Sequence, residues 1–245
     1  MKQPHILCGS SDISEYVILA GDPDRILRLT HFLDSYEEIA YNREFITIKG
    51  SYKGMTITAT STGIGGPSAA IAIEELIACG AKYMIRIGSS GAVQDNIKIG
   101  DLVVCTGAVR EDGASSMYIT PNYPAVPDIK LTNVILNICD EHGYPYHYGL
   151  VRSHDSFYIE DEDKLMDHWN KKNILGSDME TSILFVLASL RGIKAASILN
   201  TVVEYKSDVK EGIDNYVNND NDASEGEKRE ILLALETFYK IHNEM

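Results

Sequence analysis

Three arginines stand in settings that call for an anion. Arg25 follows the run "VILAGDPD", Arg86 lies inside the apolar stretch "YMIRIGSSGAV", and Arg43 stands in "AYNREF" between Asn42 and Glu44. A guanidinium inside a buried strand is costly unless something negative pairs with it. After Arg86 comes Gly88-Ser89-Ser90-Gly91, with small side chains, hydroxyls and free backbone N–H groups, a loop suited to a phosphate-like oxyanion. Gly21-Asp22-Pro23 is a tight turn whose backbone could be held open for the same anion, with Arg25 closing on it. Plainer readings exist for each. Gly, Asp and Pro serve any strand-to-helix turn. Arg86 or Arg43 could form an internal bridge to a carboxylate.

The charge balance makes these positions more informative. The chain has 245 residues and a formal net charge of −14, so its overall field opposes an anion and excludes nucleic acid as an expected partner. Anion binding must then depend on locally placed arginines. Apolar residues make up 44%, enough for a substantial core. No apolar run approaches a membrane span and no secretory h-region opens the chain, which predicts a cytoplasmic protein. Cys8, Cys79, Cys105 and Cys139 are widely spaced, with no CxxC pair. They read as reduced core thiols rather than a disulfide frame or a metal site.

The elements that must hold the arginines alternate between strand and helix. "YVILAG" reads as a strand and Arg25–Leu33 as a helix. "ITIKGSYKGMTITATSTG" reads as a hairpin turning at Lys53-Gly54. "PSAAIAIEELIACG" is a helix with Pro67 in its first turn and Gly80 at its end. "KYMIRIG", "DLVVCTGAV", "YHYGLVRSH" and "KAASILNTVV" read as strands. Leu131–His142 and "SDMETSILFVLASLRG" read as helices. Ser224–His242 closes the chain as an amphipathic helix, opened by a capping box between Ser224 and Glu227. "NNDND" at 218–222 reads as a surface loop. The pattern predicts one α/β domain over 1–245, a central mixed, largely parallel sheet flanked by helices. In such sheets ligands gather at the strand ends.

In this order the motifs resemble a family. "GDPDR" (21–25), "NREF" (42–45), "STGIGGPS" (61–68), "EEL" (74–76), "RIGSSGAV" (86–93), "GDLVV" (100–104), "DGAS" (112–115), "YPAV" (123–126) and "DME" (178–180) follow one another as in the hexameric nucleoside phosphorylases. These are the bacterial-type purine nucleoside and uridine phosphorylases. The resemblance runs from about residue 4 to residue 204. It implies that Gly21, Arg25, Arg86 and Ser89 hold phosphate, and that Arg43 reaches into a neighbouring subunit's site. It implies that Met179 and Glu180 meet the ribose, and that His5 meets the sugar from the adjacent subunit. It further implies that Phe157 and Tyr158 pack on base and sugar. The assembly implied is a homohexamer, a trimer of dimers. Without the resemblance, His5 reads as a surface residue, Phe157 and Tyr158 as core, and Ser177-x-x-Glu180 as a helix capping box.

The base is the point of divergence. Uridine phosphorylases read uracil with a Gln and an Arg shortly after the Phe-Tyr pair, and here Asp161 and Asp163 fall at those places. A carboxylate cannot donate to the uracil carbonyls. Otherwise "IEDED" (159–163) reads as a solvated loop. Purine enzymes of this type use an aspartate after the late strand, and Glu204 in "LNTVVEYKSD" falls there, with Asp208 as a rival acid. Glu204 would donate to or hydrogen-bond purine N7 and improve the leaving group. The arginine that assists that acid in many such enzymes is missing; Lys206 or Lys210 are the candidates to replace it. The expected reaction is phosphorolysis of purine ribo- or deoxyribonucleosides. Arg86 and Glu204 are its catalytic residues, inorganic phosphate is the co-substrate, and neither a metal nor an organic cofactor takes part. Alternatives are a uridine phosphorylase, a hydrolytic nucleosidase and a non-catalytic nucleoside-binding protein.

Overall fold

The computed structural model describes residues 2–208, 212 and 221–244. One mixed sheet organises it. Its strands are β1 (Tyr16–Ala20), β2 (Ser35–Asn42), β3 (Phe45–Tyr52), β4 (Met55–Ser61), β5 (Tyr83–Ala92), β6 (Leu102–Glu111), β7 (Tyr146–His154), β8 (Gly176–Asp178) and β9 (Lys194–Val203). Their order is β2-β3-β4-β1-β5-β8-β7-β6-β9, and a further β5–β9 pairing closes the last five strands into a ring. The pairs β1–β4, β1–β5, β5–β9, β6–β7 and β7–β8 are parallel, and the rest are antiparallel. The expected single α/β domain with a mixed sheet is the one observed.

Alternation along the central strands explains why helices cover both faces. On β1, Val17 and Leu19 join one buried cluster, while Tyr16, Ile18 and Ala20 join the other. The first cluster includes α2 (Gly66–Ala78) and α6 (Thr181–Arg191). The second includes α1 (Pro23–Leu29), α4 (Ile129–His142) and α7 (Asn221–Asn243). Two short helices, α3 (Gly113–Tyr118) and α5 (Glu162–Asn170), complete the described set. The four cysteines are buried free thiols, as the spacing predicts.

Several boundaries differ from the sequence pattern for physical reasons. The hairpin turns at Lys53-Gly54 as expected, both with positive φ. An additional edge strand, β2, precedes it; its mostly exposed side chains gave no apolar alternation to read. The first helix starts at Pro23, capped by the Asp22 side chain, and tightens into a 3₁₀ turn over Thr30–Phe32. α7 begins at Asn221, so Ser224 lies within its first turns and no Ser224–Glu227 capping box forms. Residues 218–220 of "NNDND" lie outside the described residues, whereas Asn221 and Asp222 open the helix.

Candidate active site

The parallel strands β1, β4, β5 and β9 end at one edge of the sheet, and a cavity of about 1130 Å³ lies against those ends. Gly21, Gly63, Ser89 to Ala92 and Val202 to Glu204 line it. Gly21 has a steric reason to be glycine: a Cβ there would stand 3.3 Å from the Gly63 carbonyl oxygen.

At one end the Gly-Asp-Pro turn delivers Arg25. Its Nη2 donates to Ser89 Oγ at 2.7 Å, its Nη1 to the Ile87 carbonyl at 3.2 Å, and its Nε to Glu227 at 3.0 Å. Arg28, one turn on, donates to Glu227 and to Asp22. Glu230, one turn beyond Glu227, accepts from the Gly88 N–H at 3.1 Å and lies 3.5 Å from Arg25 Nε. Burial pushes the Glu230 carboxyl up to about 8, against the pull of Arg25. Thus α7 supplies the carboxylates that hold the α1 arginines. The sequence offered one signal for this. Glu227 and Glu230 fall on the stripe running from Ala223 to Ala234, and a buried acid on an apolar stripe needs a buried cation.

Arg86 occupies the centre, and both readings of it hold together. It lines the cavity, and it forms the internal bridge: Nε to Asp178 at 3.1 Å and Nη2 to Glu180 at 2.6 Å. Burial alone would ease its proton off, but Glu180 and Asp178 outweigh that and hold it charged. Burial pushes Glu180 up, Arg86 opposes the rise, and Asp178 adds to it. The Arg86 guanidinium folds over Gly88, where an added Cβ would come within 2.6 Å of it. Glu180 also accepts from the Gly65 N–H at 2.5 Å, which ties the start of α2 to the site. Met179 lines the cavity beside it.

The Ser177–Glu180 capping box is corrected by this geometry. Asp178 caps α6 instead, accepting from Thr181 N at 2.9 Å and Thr181 Oγ1 at 2.6 Å. Ser153 Oγ donates to its other oxygen at 2.5 Å. Glu180 is thereby released from capping and turned to Arg86.

The far end is formed by the end of β7, α5 and the chain after β9. Phe157 and Glu204 line it. Tyr158 is not among the lining residues: it is 78% exposed, with its ring set edge-on to Phe157. The acidic run is mostly exposed, as a solvated loop would be, but its second half runs into a helix. Asp161 stays outside, paired with Lys164, but Glu162 and Asp163 open α5 and line the cavity. The buried Arg152 holds that helix start, donating to Glu162 at 3.0 Å and bridging to Glu111. Glu204 has Lys98 at 3.5 Å. Lys206 lines the cavity as well, paired to Asp167 at 3.2 Å, where Tyr205 also donates at 2.5 Å. Lys210 lies outside the described residues, and Asp208 does not line the cavity. Among the described residues no cluster of His, Cys, Asp and Glu is arranged to hold a metal ion.

His5 and Arg43 stand together, but away from this cavity. The Asn42 amide donates to the His5 carbonyl at 2.7 Å, and Glu75 accepts from His5 Nδ1 at 2.6 Å and from Ile6 N at 2.9 Å. Arg43 sits in the β2–β3 turn with φ 57°. Its neighbour Glu44 reaches the cavity wall and accepts from Ser68 Oγ at 2.8 Å.

A strand-end cavity holding buried arginines, a bridged glutamate and an acid beyond the late strand defines a class of site, and the comparisons agree with it. The phosphorylase superfamily model matches residues 15–235. A uridine phosphorylase from Thermococcus kodakarensis is 41% identical over 208 residues, covering 80% of this chain and 75% of that protein. A guanosine phosphorylase from Halorubrum lacusprofundi is 41% identical over 197 residues, covering 80% of this chain and 81% of that protein. The crystal structure of uridine phosphorylase from Vibrio fischeri ES114 superposes with a TM-score of 0.92 at 48% identity, over 98% of both chains. The chain belongs to the nucleoside phosphorylase family of the phosphorylase superfamily. Among its described residues no helix is long and apolar enough to cross a membrane.

Proposed function

We propose that the protein splits purine nucleosides with inorganic phosphate, giving free base and pentose 1-phosphate. The observation that carries this reading is the chemistry of the far cavity wall. Glu204 and Asp163 line it, and its described lining includes no glutamine. Carboxylates accept hydrogen bonds from amino and imino groups but repel the paired carbonyls of uracil. The 41% identity to a guanosine phosphorylase agrees with that choice. A second reading, uridine phosphorolysis, is favoured by the 48% identity to the Vibrio fischeri uridine phosphorylase.

In the proposed reaction Gly21, Arg25, Arg86 and Ser89 hold phosphate beneath the sugar, with Arg43 entering from a neighbouring subunit. Glu180 and Met179 meet the ribose, and the neighbour's His5 meets its far end. Phe157 stacks on base and sugar. As the glycosidic bond stretches, positive charge grows on the sugar ring, and the phosphate anion both stabilises it and captures C1′. Negative charge grows on the base, where Glu204 meets N7 as that atom gains a proton. Lys98, 3.5 Å from Glu204, takes the place of the arginine the sequence lacks. No cofactor has a step in this scheme. The assembly proposed is a hexamer whose smallest complete unit is a dimer.

Replacing Glu204 tests the reading. Glu204→Ala should lower kcat for purine nucleosides by about a hundredfold, in the range of a lost general acid. Steady-state turnover that stays at the unmodified level would remove Glu204 from the scheme.

A further inference from the structure

His154 is the last residue of β7 and lines the cavity, yet the proposed chemistry gives it no task. It is only 8% exposed. Its Nδ1 lies 2.9 Å from the Ser156 carbonyl oxygen. A carbonyl can only accept, so Nδ1 carries hydrogen. Burial, reinforced by the Arg152 charge, holds the ring below the usual imidazole range and therefore neutral near pH 7. In a neutral ring with Nδ1 protonated, Nε2 has a bare lone pair. Among the described residues it has no hydrogen-bond partner.

Two hydroxyls share this condition. Ser90 Oγ and Ser177 Oγ are buried, belong to cavity-lining residues, and have no partner among the described residues. They sit close together: Gly91 pairs with Ser177 across β5 and β8, and Ser90 Oγ lies 3.5 Å from where a Gly176 Cβ would stand. Native interiors seldom leave buried hydroxyls unsatisfied, so a cavity wall holding these two beside a bare imidazole nitrogen is a wall that awaits a polar partner. That partner must offer an N–H to the fixed acceptor. It can meet the hydroxyls with either kind of group.

We infer that His154 is a specificity-determining residue whose Nε2 accepts a hydrogen bond from the base edge, so that purines bearing an exocyclic amino group are preferred over those without one. This deepens the purine reading above and rests on it. Inosine, which has no exocyclic amino group and only the ring N1–H to offer on that edge, is the comparison substrate.

The test compares kcat/KM for guanosine, adenosine and inosine at saturating phosphate in the unmodified protein, His154→Ala and His154→Gln. The preferred aminopurine nucleoside should lose about tenfold or more relative to inosine in His154→Ala, chiefly through KM. His154→Gln, which keeps an acceptor, should recover part of the preference. An unchanged ratio would overturn the inference. So would an equal loss for all three substrates, the mark of a residue that only shapes the turn before Phe157. If the unmodified protein cleaves uridine and none of the purine nucleosides, the purine reading itself falls, a different outcome from an unchanged ratio. The unmodified protein also gives a check free of folding effects. Protonation turns Nε2 into a donor, so the aminopurine preference should decline on the acid side. Arg152 on β7, Glu162 on α5 and Asp178 on β8 are the charged groups around the ring in that titration. A preference that stays flat until all activity is lost would count against the role.

Discussion

At the Arg25 end of the cavity the charges are settled within the chain. Arg25 is held by Ser89, Glu227 and a backbone carbonyl, Arg28 by Glu227 and Asp22, and Arg86 by Asp178 and Glu180. At the His154 end, Nε2 has no partner among the described residues, and neither do the buried Ser90 and Ser177 hydroxyls on β5 and β8. The first end is built on strand ends and buried helix turns, which fix its geometry before any ligand arrives. The second is built from a short helix and the chain after β9, joined through Tyr205, Asp167 and Lys206. The contrast fits a site in which one reactant is constant and the other selects: phosphate at the first end, a particular base at the second.

That comparison can be broken by mutation. The largest effect is expected from Arg86→Ala, which removes a cation from the anion end and strands Asp178 and Glu180. Phosphate-dependent turnover should fall by about a thousandfold or more, and by a similar factor for every nucleoside accepted. A loss confined to one base would place Arg86 at the wrong end. Next in size is a subunit-mixing experiment. Arg43→Ala and Arg86→Ala chains should each be nearly inactive alone. If Arg43 serves the neighbour's site, a randomly mixed dimer population regains about one quarter of full activity, because each mixed pair has one intact site. Activity no greater than that of the separate variants would confine Arg43 to its own chain.

The smallest effect concerns the carboxylate behind Arg25. Glu230 titrates at about 8 in the fold against an ordinary 4.5, so the folded chain binds more protons between those values. Its contribution to stability is then full below the lower value and declines as pH rises toward the upper one. Urea unfolding followed across about pH 5 to 8 should show that decline, and Glu230→Gln should flatten it. An equal slope in both proteins would mean that Glu230 is ionised throughout.

The anion end was largely legible in the sequence because its signals are local. A Gly-Asp-Pro turn before an arginine and an arginine within an apolar strand both carry their meaning in a few residues. What the sequence did not disclose was the counterion set, since Arg25 and Glu227 are 202 positions apart. The far end was less legible. The acidic run at 159–163 has the composition of a solvated loop, and only the buried Arg152 turns part of it into a helix start facing the cavity. His154 in "RSHDSF" resembles any polar residue at a strand end, and its importance depends on where β7 stops. Tyr158 follows Phe157 directly and packs edge-on against it, yet only Phe157 lines the cavity. Pattern reading therefore recovered the strands, helices and arginines, and lost the contacts made between distant segments.

The most direct test of the account is release of free base from guanosine, adenosine, inosine and uridine, each measured with and without inorganic phosphate. Phosphate-dependent release of a purine base is expected, with uridine turned over poorly. Phosphate-dependent cleavage of uridine in preference to every purine nucleoside would contradict it.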